Sequence, residues 1–137
     1  MVWALQEPID QRLLRCDYSD VALLGKAVTR GRGWRPAGLA IHALNGGLFG
    51  LAYQEARRIL PSDPRKLALR MAIAEHIGLY PLSYFVDRHH PARGEPGLAP
   101  LLSARGFGQA TFRHAVFGAV LGLLVDGKPK GDSRLSR

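Results

Sequence analysis

The chain has 137 residues, with 19 Lys+Arg against 11 Asp+Glu and a formal net charge of +8. That length fits one domain, residues 1–137, and leaves no room for a second independent core. A hydrophobic share of 47% excludes disorder, and the single cysteine, Cys16, excludes an internal disulfide and any metal site built on several thiolates.

The mean hydropathy of −0.05 hides an uneven distribution. The basic residues are 15 Arg and 4 Lys, which reads as codon bias in a GC-rich genome more readily than as selection for guanidinium chemistry. A pI near 10.4 suits nucleic acid and an anionic membrane surface equally, so the placement of the charges has to decide.

Along the chain, Met1 to Leu5 and then Gln6-Glu7-Pro8 look like the tail of a helix whose start lies upstream. Residues 1–35 otherwise read as a loop carrying a short amphipathic helix from Leu23 to Gly31. Within it, Asp17-Tyr18-Ser19-Asp20 is a compact acidic run. Two carboxylates suit a hard cation, but Asp20 ahead of Val-Ala-Leu-Leu fits a helix cap better.

Three stretches then stand nearly free of charge: 36–53, with none in 18 residues; 67–86, with Arg70 and Glu75; and 109–125, with Arg113. At 1.5 Å per residue each approaches the roughly 30 Å hydrocarbon core of a bilayer. Soluble surface helices keep a polar stripe. Between Pro36 and Tyr53 only His42 and Asn45 are polar, so no solvated face can be drawn there. Ser62-Asp63-Pro64 marks the start of the second helix, and Pro81 predicts a kink within it. The connection 54–66 is a short polar hairpin; 87–108 is long and rich in Gly and Pro; 126–137 reads as a flexible basic tail. No period-two alternation predicts a strand.

The first and third stretches share a pattern. His42, Gly46 and Gly50 stand in the same His-x3-Gly-x3-Gly spacing as His114, Gly118 and Gly122, each with Ala after the His and Leu after the last Gly. Residues four apart share a helix face, and glycines so spaced let a second helix approach closely, as small residues do in membrane helices. Leu23-Leu24 to Arg30-Gly31 precedes the first copy, and Leu101-Leu102 to Arg105-Gly106 precedes the second. Both read as short amphipathic helices. The expected architecture is therefore all-α: an integral membrane helical bundle of two hairpin repeats, the first lacking its opening helix.

Paired His-x3-Gly-x3-Gly helices behind a DYSD loop resemble small uncharacterised multi-span membrane proteins of GC-rich bacteria, over roughly residues 1 to 125. The resemblance implies no established activity. It departs in the missing first helix. It implies a multi-pass protein of the bacterial inner membrane, with the bilayer as its partner. Cation density near the helix ends places the Arg57-Arg58 hairpin and the Lys128-Lys130 tail on the cytoplasmic side.

Ionisable groups inside spans are functional candidates. The expected polar cluster is His42, Asn45, Glu75, His76, Arg113 and His114; Gly46, Gly50, Gly118 and Gly122 are expected to pack helices. His with Glu suits a metal or a proton relay, but bonding across helices is the simpler role. Glu75 and His76 point about 100° apart on a helix. No catalytic residue, metal site or cofactor is expected. Self-association through the glycine faces is, whereas nucleic-acid binding is not, because the cations cluster in connections. A soluble basic bundle that binds nucleic acid is the alternative, with a membrane-embedded enzyme or proton relay as a third reading. Asp87, Arg88, His89 and His90 form a polar group at a span edge with no specific chemistry expected, and Cys16 has no base beside it in sequence.

Overall fold

A computed structural model describes residues 2–126, with side chains from 6 to 125. The expected basic tail lies outside the described residues apart from Asp126. Six helices follow one another: α1 (Val2–Leu14), α2 (Asp20–Val28), α3 (Trp34–Ile59), α4 (Pro64–Leu79), α5 (Leu82–His89) and α6 (Ala104–Asp126). Among the described residues there is no strand; Tyr18 and Leu98 form an isolated bridge.

Several boundaries follow from local chemistry. Asp63 caps α4, its Oδ1 accepting from Lys66 N at 3.0 Å, and Pro64 takes the first turn, where its missing N–H is harmless. The stretch 67–86 breaks at Tyr80-Pro81 into α4 and α5, because proline cannot continue the hydrogen-bond ladder. Residues 1–35 hold more helix than expected: α1 is helical from Val2 and carries Pro8 inside it.

Two expectations are corrected. The cap of α2 is Ser19, whose Oγ accepts from Ala22 N at 3.1 Å; Asp20 is the first helical residue. Nor is there a separate helix at 101–106. Asp87 instead accepts from Leu101 N at 2.9 Å and Leu102 N at 2.8 Å, holding Leu101–Ser103 outside the helix, and Arg105-Gly106 belong to the first turn of α6.

Packing rests on two close helix pairs, α2 with α3 and α4 with α6; α1 leans on α6, and α3 meets α4 near their shared hairpin. The pair α4–α6 is antiparallel. A Cβ at Gly118 would lie 2.8 Å from Leu69 Cα, and one at Gly122 would lie 2.9 Å from Arg65 Cα. Glycine is what lets these backbones touch. At the α2–α3 crossing, a Cβ on Gly25 would overlap the Trp34 carbonyl, and one on Gly38 the Val21 carbonyl. The hairpin end carries the main core, Phe49, Tyr53, Leu67, Ala68 and Ala72, with Phe49 edge-on to Phe117 at 5.1 Å.

The long connection after α5 straps itself over α2. Ala99 N donates to Asp17 O, Ser19 N to Gly97 O, and Lys26 Nζ to Pro96 O, all near 3 Å. Glu95 bridges Arg30 and Lys26, and its hydrogen bond from Arg30 is the main cause of a carboxyl held below the ordinary range. Residues 17–30 and 95–99 thus pack together at one end, opposite the Arg57-Arg58 hairpin. Of the three expected spans, α6 alone among the described helices is long and apolar enough to cross a bilayer by length and composition.

Replacing Gly38 by Ala forces a methyl into the Val21 carbonyl. Thermal unfolding is expected to show a loss on the order of 1–3 kcal/mol. The control, Gly46→Ala, has open space at its Cβ and is expected to be neutral or to gain roughly 0.5–1 kcal/mol.

Candidate functional site

α6 divides its polar side chains between two faces. Gln109 and Arg113 are four apart and point at α1 and the start of α2; Thr111 and His114 point at α4.

On the first face, the Arg113 guanidinium grips Asp10 as a fork, Nε to Oδ2 at 2.6 Å and Nη2 to Oδ1 at 2.8 Å. Its Nη1 donates to Asp20 Oδ2 at 2.8 Å, and Nη2 also reaches Tyr18 O at 3.0 Å. The Tyr18 ring lies under the guanidinium, 5.2 Å from its carbon. Gln109 Nε2 donates to Asp10 Oδ1 at 2.7 Å, and the Tyr18 hydroxyl donates to Asp20 Oδ1. Asp10 and Gln109 are fully buried, and Arg113 nearly so. Burial, and then the Asp20 carboxylate, push the Tyr18 hydroxyl well above its ordinary value, so it stays a donor. Gln109 Oε1 is buried with no hydrogen-bond partner among the described residues.

On the second face, the rings of His76 and His114 stack at 4.9 Å with 29° between their planes. Thr111 Oγ1 donates to Phe107 O at 2.8 Å, so it accepts from His76 Nε2 at 2.9 Å. His114 Nδ1 donates to Ala110 O at 2.8 Å. That pattern places a ring proton on His76 Nε2 and one on His114 Nδ1. Phe107 and Tyr80 close the layer, and the Tyr80 hydroxyl donates to Leu101 O at 3.1 Å.

The structure therefore brings together two members of the expected cluster, His76 and His114. Arg113 goes to the opposite face of α6 and into the ion cluster. Glu75 is half-buried beside His76, which takes the buried face of α4. His42 is half-buried on α3, at the position that His114 holds on α6, and Asn45 is exposed. The glycines also divide: Gly118 and Gly122 carry α4, whereas nothing lies within 4 Å of a Cβ at Gly46 or Gly50. Asp17 and Asp20 part company, since Asp17 accepts from Gly97 N and Asp20 pairs with Arg113, so they do not form one cation site. His89 and His90 bond to backbone carbonyls of Phe85 and Leu23. Cys16 is buried, and burial is the main reason its thiol is pushed up, which suits packing rather than attack. No group of three or more His, Cys, Asp or Glu is placed to hold a metal among the described residues.

Sequence reasoning missed Asp10, Tyr18 and Gln109. One signal was available: an arginine inside an apolar run needs a carboxylate partner, and Asp10, Asp17 and Asp20 lie in the one acid-containing segment ahead of the first stretch. No known protein family, curated protein or solved structure matches the chain.

Arg113→Met leaves Asp10 buried without its counter-charge. Chemical unfolding is expected to show a loss of about 3–5 kcal/mol. Adding Asp10→Leu to Arg113→Met is expected to recover most of that loss, because no lone charge then remains inside. A double variant no more stable than the single one rejects the pairing as the cause.

Proposed function

We propose that the chain is a small integral membrane protein that crosses the bilayer three times, at about 36–53, 67–86 and 109–125. In this reading it is built on two helical repeats, and it serves as a helix-packing scaffold in a bacterial inner membrane. The observation that carries the reading is the outer surface of the long helices. Leu44, Leu48 and Leu51 on α3, Ile77 on α4, and Leu123 and Leu124 on α6 each leave more than half of their surface open. Large exposed apolar patches are uncommon on soluble monomers, and lipid is the solvent that suits them. The cations support the same reading. Among the described residues they gather before Pro36, around 57–66 and at 88–105; Arg70 and Arg113 are the exceptions, and Arg113 is buried in its ion cluster. A nucleic-acid interface needs its cations along one face.

The stacked His76–His114 pair favours a second reading, a proton path along the α4–α6 seam. Proteoliposomes with a trapped pH dye separate it from the scaffold. The scaffold is expected to leak no faster than protein-free vesicles; a leak that His114→Ala removes would establish the relay.

Membrane residence itself is tested by alkaline carbonate washing of membranes from expressing cells. The chain is expected to stay in the pellet. Release into the supernatant rejects the membrane reading and returns the choice to a soluble basic bundle.

A further inference from the structure

We propose that the groove along the outer side of α1 holds one anionic phospholipid, its phosphate on Arg12 and Arg15 and an acyl chain against Pro8, Trp34 and Leu39. The proposal rests on the membrane reading above and adds a lipid bound at a defined place.

The first observation is the shape of the groove. Pro8, Gln11, Arg12 and Arg15 recur at spacings of three and four, so they share one face of α1. Asp10 points the other way, into α6. Two cavities open on the shared face, and Pro8 and Gln11 border both. The first, of about 410 Å³, reaches Cys16 and Asp17 beyond the end of α1. The second, of about 560 Å³, lies between α1 and the α2–α3 pair and reaches Val21, Trp34 and Leu39.

The second observation is the division of charge along the groove. Arg12 and Arg15 line the first cavity, and Arg35 lines the second. All three are exposed, and none pairs with a carboxylate among the described residues. The Arg35 guanidinium lies over the Trp34 ring instead. Two acids also border the groove. Asp17 accepts from Gly97 N at 2.9 Å, and Glu7 faces Gln11 Nε2 at 3.5 Å. The first cavity thus holds two guanidiniums against one carboxylate that is already engaged. Arg15 has φ 48°, in the left-handed region that suits glycine. A planar guanidinium matches the oxygens of a phosphate.

The third observation is the order of these parts along the bundle. Cys16 packs with Leu101, just ahead of α6, whereas Asp10 meets Gln109 and Arg113 further along it. α1 is therefore antiparallel to α6, and Arg12 and Arg15 lie toward the end that carries the long connections. Leu39 lies one turn past Arg35, inside the apolar stretch 36–53, and is exposed. Cations toward the end and apolar walls farther in follow the order of headgroup and acyl chain in a leaflet.

A soluble phosphate ester is the competing source of the same chemistry. It would use the two arginines and leave the apolar wall of Val21, Trp34 and Leu39 without an occupant, so the wall favours the lipid.

The chain is purified in a mild non-ionic detergent and titrated with lipid, and adducts are read by native mass spectrometry. Dioleoyl phosphatidylglycerol is expected to bind as one lipid per chain. Dioleoyl phosphatidylcholine, whose ammonium cancels the phosphate charge, is expected to bind more weakly. Arg12→Gln with Arg15→Gln is expected to weaken phosphatidylglycerol binding about tenfold, since each cation near a headgroup contributes about 1 kcal/mol. Leu39→Gln, which leaves every charge in place, is expected to weaken it as well. Arg88→Gln, on α5 and outside the groove, is expected to change nothing. Excess glycerol 3-phosphate is expected to leave the lipid bound. Equal binding of the two lipids, full binding by the double arginine variant or by Leu39→Gln, an equal loss with Arg88→Gln, or displacement by glycerol 3-phosphate would each overturn the proposal. A chain that resists the alkaline wash yet binds both lipids alike loses this inference alone and keeps the three-span reading.

Discussion

The guanidinium of Arg113 lies inside the protein, and the amino-terminal third is arranged around it. Taking an arginine out of water costs several kcal/mol, which only well-placed acceptors offset. Asp10 on α1, Asp20 on α2 and the Tyr18 carbonyl between them supply those acceptors. α1 is therefore set by charge more than by apolar fit: Ile9 and Leu13 point outward while Asp10 is wholly buried. The cluster holds two carboxylates for one guanidinium. The surplus is spread over neutral donors, Gln109 to Asp10 and the Tyr18 hydroxyl to Asp20. A lysine could not replace the arginine, since the planar fork is what reaches both carboxylates at once.

With α1 and α2 held on one face of α6, the opposite face is left to α4. There the contact is made by the absence of side chains. Gly118 and Gly122 bring backbone against backbone, and the imidazoles of His76 and His114 fill the wider end of the seam. Among the described residues, α6 packs against α1 on one side and α4 on the other. α3 is held at its two ends, by the Gly25–Gly38 crossing and by the Phe49–Tyr53 core. Its middle is held by neither, although the same motif runs through it.

Features governed by adjacent residues were legible in the sequence. Asp63-Pro64 starts a helix and Pro81 breaks one, because cap and missing N–H act within a turn. Gly118 and Gly122 lie against α4 at the spacing of four that the sequence shows. Features governed by distant residues were not legible. Asp20 has the chemistry of a cap, but Arg113, 93 residues away, draws its carboxylate off and leaves the cap to Ser19. Leu101-Leu102 has the pattern of a helix, but Asp87 takes both amide protons and Tyr80 takes a carbonyl. Residue type placed Arg113 with the histidines. Direction on the helix separated them, since neighbours in sequence point about 100° apart.

The same argument from direction bears on the apolar helices. An average over a window weighs every side chain alike, whichever way it faces. In α6, Arg113, Gln109 and His114 lower that average, yet each is turned toward another helix, while Leu123 and Leu124 are turned away. In α3 the average is lowered by Gly46, Gly47, Gly50, His42 and Asn45. Leu44, Leu48 and Leu51 are exposed and lie on a different side from Gly46 and Gly50. The large apolar side chains of α3 and its glycine notch thus lie on different sides of the helix.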